Sequence, residues 1–245
     1  MTNDEMELAE RCYGYGRWDA PYWFIGLEEG QAPCENNDFT RRAEAFRKLN
    51  KGGLCDCRQF HDEIGERRWH EISSRTGTVK LQSTWRYLLL LLMASQGIPT
   101  ENDESRSSFQ KEYQRNRWGA ECLDLGETCV IELSGLPANN TKVSKQRPEA
   151  MRRQLEGEIR RTRISHIKNT LRINPKPKFV VMYGLSAKKH WREIADHELQ
   201  AGIPKKKGDT TFLLALQPAA RYEKGQKDRY WTNLGSKLCG EMGQS

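Results

Sequence analysis

The sequence predicts an α/β fold, a three-layer α/β/α arrangement in which a four-stranded parallel sheet lies between two layers of helices. Three apolar runs carry this prediction, and each one breaks into polar sequence that contains Gly or Pro. Runs of this length, bounded by turn residues, are typical of strands buried on both faces, as in a parallel sheet. They read PYWFIGLEEG from residue 21, FVVMYGLSAKKH from residue 179 and FLLALQPAARY from residue 212.

The four strands are expected to alternate with helices along the chain. The five leucines within residues 82–96 indicate a helix at the centre of the fold, and Asp38 is a suitable N-cap for another helix. Because no linker or repeat divides residues 1–245, one domain is expected. Strands are expected at 22–27, 129–133, 179–183 and 211–216. Further helices are expected at 3–12, 39–49, 148–172, 187–199 and 227–239. The segment 54–80 is expected to be irregular surface, and the segment 100–118 a charged helix or loop.

Composition indicates a basic protein of the cytoplasm. The 40 Lys and Arg exceed the 33 Asp and Glu, giving a net charge of +7, which favours a polyanionic partner without proving one. The N-terminus has no apolar core typical of a signal peptide, and the leucine run falls short of the roughly 18 residues that span a membrane. Seven cysteines without a framework spacing are typical of a reduced compartment.

Polar residues follow three of the predicted strands. In open α/β sheets, ligands bind outside the carboxyl ends of the strands. Three groups are therefore expected to share one edge of the sheet: the carboxylates Glu28 and Glu29, a basic cluster at 186–189, and a Pro-containing loop at 217–221.

These segments resemble the motifs of the uracil-DNA glycosylase superfamily. YGLSAKK at 183–189 is similar to its strand-end pattern of an aromatic residue followed by Gly-x-x-Ala-x-Lys-Lys. GLEEG at 26–30 stands where that superfamily has Gly-x-(Asp/Asn)-Pro-(Tyr/Gly), and QPAA at 217–220 stands where it has His-Pro-Ser-Pro. Since order and strand context agree over about 22–238, the chain is identified as a divergent member. The resemblance implies a uracil-DNA glycosylase-like fold and a monomer that acts on double-stranded DNA.

The resemblance also implies where the chemistry lies. Cleavage of an N-glycosidic bond builds positive charge on the sugar and negative charge on the leaving base. Glu28 matches the position that activates water or stabilises the sugar cation, and Glu29 replaces the usual proline. Two adjacent carboxylates resist ionising together, so the pKa of one would rise in a dry pocket. The alternative is that one of the pair points to solvent.

The residues expected to bind the base differ from those of uracil enzymes. Gly30 stands where those enzymes have a tyrosine that excludes a 5-methyl group, so a larger 5-substituent would fit. Gln217 replaces the histidine that donates a hydrogen bond to the base. Asn36, Asn37 and Asp38 would line the pocket or, alternatively, form a turn and a helix cap. The base-binding set is Gly30, Asn36, Asn37, Asp38, Ser134 and Gln217.

The residues expected to contact DNA lie after the third and fourth predicted strands. Ser186 and the lysines beside it would contact phosphates, and the loop after Gln217 would enter the base stack, unless it is a plain surface turn. The wedge would be Arg221 or Tyr222. Lys205, Lys206 and Lys207 would form a solvated turn or a phosphate contact. The DNA-binding set is Ser186, Lys188, Lys189, Pro218, Ala219, Arg221 and Tyr222.

No metal or cofactor is expected. Cys55 and Cys57 precede His61, but the spacing lacks the Cys-x-x-Cys pair typical of zinc sites. Some members of the superfamily hold an iron–sulfur cluster on four cysteines, and that pattern is missing here. Loop cysteines and a surface histidine are therefore the favoured interpretation.

The hypothesis is a DNA glycosylase that flips out and excises a modified pyrimidine, leaving an abasic site. By analogy with bacterial relatives, the base would be a bulky 5-substituted cytosine, such as glucosylated hydroxymethylcytosine in phage DNA, and the role antiviral defence. The alternatives are a repair glycosylase for mismatched thymine or uracil and a non-catalytic nucleic-acid-binding module. A nucleotide-handling or sugar-phosphate-handling enzyme is less favoured, because no Gly-rich phosphate loop follows a strand.

Overall fold

A computed structural model describes residues 2–27, 38–135, 149–173, 175–220 and 225–242, with the backbone alone for 38, 149–156 and 242. The described part of the chain forms one mixed sheet of seven strands with helices on both faces. The strands are β1 (Gly14–Gly16), β2 (Tyr22–Gly26), β3 (Leu54–Cys55), β4 (Thr128–Glu132), β5 (Phe179–Tyr183), β6 (Lys205–Lys207) and β7 (Thr210–Ala215).

The four predicted strands are confirmed as parallel neighbours, in the order β4-β2-β5-β7. The expectation of a four-stranded, wholly parallel sheet is wrong, because three short strands extend it. β1 pairs antiparallel with β4 and carries β3 at one edge, and β6 pairs antiparallel with β7 at the other. None of the three is an apolar run. β1 and β3 pair with strands that are distant in sequence, whereas β6 pairs with β7 across a tight turn.

The helices follow the predicted order with small shifts at their ends. The described helices are α1 (Asn3–Arg11), α2 (Asp38–Leu49), α3 (Cys57–Glu63), α4 (Ser83–Ser95), α5 (Asp103–Asn116), α6 (Glu149–Thr170), α7 (Lys188–Ala195) and α8 (Gln226–Met242). α7 is shorter than expected because a 3₁₀ turn, Leu185–Ala187, precedes it and Asp196 ends it in the left-handed conformation.

The expectation that residues 54–80 are irregular surface is partly wrong. They contain β3, α3 and a 3₁₀ turn at Arg67–Trp69. Asp56 caps α3 by accepting a hydrogen bond from the Gln59 amide. Phe60, His61 and His70 are buried, so this segment is part of the core.

Alternation along the strands divides the core into two layers. On one face, Phe24 and Val181 pack with the leucines of α4 and with α2, α3, α5 and α8. On the other face, Trp23 and Met182 pack with α6 and α7. The predicted three layers are therefore present. No helix of the described residues is both long and apolar enough to cross a membrane.

Candidate functional site

The candidate site lies at the carboxyl ends of the parallel strands. After β2 the chain forms β3 and β4 on one side of it, and it later forms β5 and β7 on the other. This reversal is the topological switch point at which open α/β sheets bind ligands. Leu27, Ser134, Gly184 and Gln217 follow the strands at this edge.

A tyrosine and a glutamate meet across the end of β2. The hydroxyl of Tyr183 donates a 3.3 Å hydrogen bond to Oε1 of Glu132. Gly26 lies beneath them: a Cβ at this position would come within 2.5 Å of Glu132 Oε2 and closer still to the Tyr183 hydroxyl. A glycine is therefore needed here for the two side chains to meet.

Strand register explains why these residues converge. Glu132 pairs with Gly26 in the ladder, and Met182 pairs with Ile25, so Tyr183 follows beside Gly26. Side chains two residues apart point to the same face of a sheet. Glu132 and Tyr183 therefore project from the strands on either side of β2, on the face that carries α4. Gly26, on β2, places no side chain between them.

A buried arginine holds the end of β4. Arg163 of α6 is fully buried, and its guanidinium donates to the carbonyls of Glu132, Leu133 and Ala9 at 2.5–3.0 Å. Burial lowers its pKa, and the ring of Tyr13 lies 4.2 Å from its Cζ. The three carbonyls join α1, α6 and the strand end, which fixes the backbone that carries the Glu132 carboxylate.

A small cleft of about 30 Å³ opens beside Glu132. Ser134 lines it, and so does Arg42 of α2, which is only 7% exposed and lies 5.8 Å from the Phe60 ring. The cleft therefore combines a carboxylate, a hydroxyl and a buried guanidinium against apolar walls. Such a set can bind and orient a polar ligand group out of bulk water.

The turn after β5 brings Gln217 to the same edge. Gly184 has a φ of 96°, a conformation that favours glycine, and its carbonyl accepts a 2.7 Å hydrogen bond from the indole of Trp191. Oε1 of Gln217 lies 3.0 Å from the position that a Cβ on Gly184 would occupy. The exposed Gln217 side chain thus lies against this turn, and Pro218 is buried beside it while Ala219 is exposed.

The basic cluster lies at the start of α7. Ser186 and Lys189 are exposed and Lys188 is half-buried, and Ala187, the N-cap residue, makes no side-chain capping hydrogen bond. His190 has a pKa lowered by burial and then by Arg160, so it stays neutral beside these lysines. The amides of Ala187 and Lys188 already donate to the carbonyls of Gly184 and Leu185, so it is mainly the lysines that suit this helix start to an anion.

Lys205, Lys206 and Lys207 are neither a solvated turn nor part of this edge. They form β6 and pair with Thr210–Phe212, the amino-terminal half of β7. Nζ of Lys207 bonds the carboxylate of Asp196 at 2.9 Å. Lysines on an edge strand discourage pairing with other chains, which is a sufficient reason for this run.

Several predicted site residues lie outside the described residues, and their positions stay predictions. Leu27 and Ala220 are the last residues described before two of these segments, and both are near the edge of the sheet that carries the site. Asp38 begins α2, with its backbone alone described. The residues outside are Glu28, Glu29, Gly30, Asn36, Asn37, Arg221 and Tyr222.

Sequence reasoning missed Glu132, Arg42 and the role of Tyr183. Glu132 ends TCVIE, a strand that is otherwise buried. A charged residue at the last position of a buried strand is a signal that could have marked it. Arg42 had no such signal, because its burial depends on packing between α2 and α3.

Comparison with known proteins adds no family: no protein-family model matches the chain, and no curated protein matches it.

Proposed function

We propose that this protein is a DNA glycosylase that excises a modified pyrimidine from double-stranded DNA. One observation carries the proposal: the three segments that resemble glycosylase motifs follow β2, β5 and β7, which are adjacent and parallel. The segments that begin at Gly26, Tyr183 and Gln217 therefore leave the sheet at a common edge, as a single site needs.

In this proposal the carboxylates act on the sugar. Glu28, with Glu29 beside it, stabilises the positive charge that develops at the sugar and positions the attacking water. Glu132 supplies a third carboxylate at the same edge, held by Tyr183. A fixed negative charge costs no reorganisation when the bond breaks, which is how such groups lower a barrier.

The remaining motif residues bind the base and the DNA. Gln217 donates to the base from its position against Gly184. Ser186, Lys188 and Lys189 bind backbone phosphates at the start of α7, and Arg221 or Tyr222 fills the space that the flipped nucleotide leaves. The net charge of +7 favours the approach of DNA.

The substrate class follows from Gly30. With no side chain at the position that screens the base 5-substituent, the pocket admits a bulky group. A 5-substituted cytosine, such as glucosylated hydroxymethylcytosine in phage DNA, is the proposed target, and defence against such DNA is the proposed role.

The test is a panel of duplexes that contain uracil, mismatched thymine, hydroxymethylcytosine or glucosylated hydroxymethylcytosine, scored for abasic sites. We expect excision of a bulky base, and a loss on the order of 10²-fold in Glu28→Gln with DNA binding retained. Asp209→Asn is the matched control, because Asp209 is exposed in the turn at the opposite end of β7.

The outcomes separate the alternatives. Excision of uracil or mismatched thymine alone would indicate a repair enzyme. DNA binding without excision of any base would indicate a non-catalytic module. Full activity in Glu28→Gln and Glu29→Gln, with a loss in Glu132→Gln, would transfer the catalytic role to Glu132.

A further inference from the structure

We propose that Cys57, His61 and His70 form a zinc site that joins α3 to the turn after it. The three side chains lie in the core, away from the motifs discussed above, and each is at most 3% exposed. Their potential ligand atoms all lie within 4.8 Å of one another. This site is independent of the proposed glycosylase activity.

Local structure brings the first two ligands together. Cys57 and His61 are one turn apart on α3, so they share a face of the helix. Sγ of Cys57 lies 3.6 Å from Nδ1 of His61. The interpretation of these residues as loop cysteines and a surface histidine is therefore wrong: Cys55 is in β3, and Cys57 and His61 are buried in a helix.

The third ligand comes from His70, which ends the 3₁₀ turn Arg67–Trp69. The rings of His61 and His70 lie 5.5 Å apart, with Trp85 packed against both. Neither ring nitrogen of His70 has a hydrogen-bond partner within the described part of the chain, although the ring is 2% exposed. Most buried polar groups in native proteins have partners, and a metal ion would supply one for this imidazole.

The hydrogen bonding of His61 suits a metal. A neutral imidazole with a lone pair is the form that binds metal. Nδ1 of His61 lies 2.7 Å from the Cys57 carbonyl oxygen, and a proton there leaves Nε2 as the ligand atom. A backbone carbonyl is a usual partner for the second nitrogen of a metal-binding histidine.

The donor set points to Zn²⁺. Thiolate and imidazole both suit zinc, which takes four ligands at tetrahedral positions. The edges of such a tetrahedron are about 3.5 Å, so the side chains, whose potential ligand atoms lie within 4.8 Å of one another, would close on the metal as it binds. Binding deprotonates the Cys57 thiol and releases that proton to water, and a water molecule fills the fourth position.

The first experiment measures metal binding by the full chain. We expect elemental analysis to find one zinc per chain in reduced protein. After removal by a chelator, added Co²⁺ should give a thiolate-to-cobalt charge-transfer band and the intense visible bands of four-coordinate cobalt. A folded protein that retains no zinc and gives no cobalt bands would overturn the proposal.

Variants assign the ligands. Cys57→Ala should lose the charge-transfer band, and His70→Leu should weaken cobalt binding at least tenfold. Cys55→Ala is the matched control: Cys55 is 1% exposed and two residues from Cys57, burial raises the pKa of its thiol, and it is outside the cluster. Cobalt bands that persist in His70→Leu and Cys57→Ala would place the metal elsewhere.

Thermal melts separate a metal ligand from a histidine that is merely buried, even if Cys57→Ala fails to fold. If zinc is bound, the chelator should lower the Tm of the wild type, and His70→Leu should melt below the zinc-loaded wild type and be insensitive to the chelator. If His70 has no ligand, removal of its polar ring should raise the Tm, and the chelator should have no effect on the wild type. That second result would overturn the proposal.

Discussion

The hydroxyl of Tyr183 donates a hydrogen bond to Oε1 of Glu132 at 3.3 Å, across a glycine on the strand between them. The two residues are 51 positions apart in the chain and belong to strands that do not pair with each other.

Gly26→Ala should destabilise the protein by about 1–3 kcal/mol, because the added methyl group overpacks the space that Tyr183 and Glu132 share. Urea unfolding measures the change. Gly157→Ala is the control: it lies in α6 with nothing within 4 Å of the new Cβ, and there alanine should stabilise by about 0.5–1 kcal/mol. Equal stability of Gly26→Ala and the wild type would mean that the pair can separate at little cost.

Tyr183→Phe and Glu132→Gln should be coupled. Tyr183→Phe leaves the carboxylate without this donor, and we expect a cost of about 1–3 kcal/mol. In the double mutant the second change should cost less than it does alone, with an interaction energy of about 1–2 kcal/mol. Denaturant unfolding of the four proteins completes the cycle. Strict additivity would show that the hydrogen bond contributes nothing to the native state.

Arg163→Lys should cost about 2–4 kcal/mol, since one ammonium cannot replace a guanidinium that bonds three separate carbonyls. Arg161→Lys is the matched control, because Arg161 lies two residues away on the same helix and is exposed. The midpoint of urea unfolding should change in the first variant and stay within error in the second. A comparable change in both would assign the effect to the helix and not to the carbonyl contacts.

Gly30→Tyr should abolish excision of a bulky 5-substituted pyrimidine while DNA binding persists. The ring would occupy the space that the substituent needs. Excision assays and a thermal melt have to be made together, since a glycine can hold a backbone conformation that tyrosine tolerates poorly. A folded variant that excises the bulky base at the wild-type rate would place the pocket wall at another residue.

Much of the central fold could be predicted from local sequence. The strands β2, β4, β5 and β7 are apolar runs that end in polar turns. A strand that is buried on both faces can be recognised from its own residues, without knowledge of the strands it pairs with. The helix α4 can be recognised for the same reason. These predictions are confirmed because an element that is buried on all sides has apolar residues at consecutive positions.

The candidate site was only partly predictable. The sequence indicated which edge of the sheet carries polar residues, and the structure brings Gln217 to Gly184 at that edge. It did not indicate Arg42, because nothing adjacent in sequence distinguishes a buried arginine from a solvated one. The roles of Glu28, Glu29 and Gly30 stay predictions that the excision assays test.

Local sequence therefore specifies the elements whose burial is continuous along the chain. Tertiary structure alone decided the edge strands β1, β3 and β6, the burial of Cys57, His61 and His70, and the meeting of Glu132 with Tyr183. These features depend on pairing and packing between separate segments, which the residues of a single segment do not show. A three-residue strand forms only when a neighbour supplies its hydrogen bonds, and a carboxylate finds its donor only when strand register places both on one face.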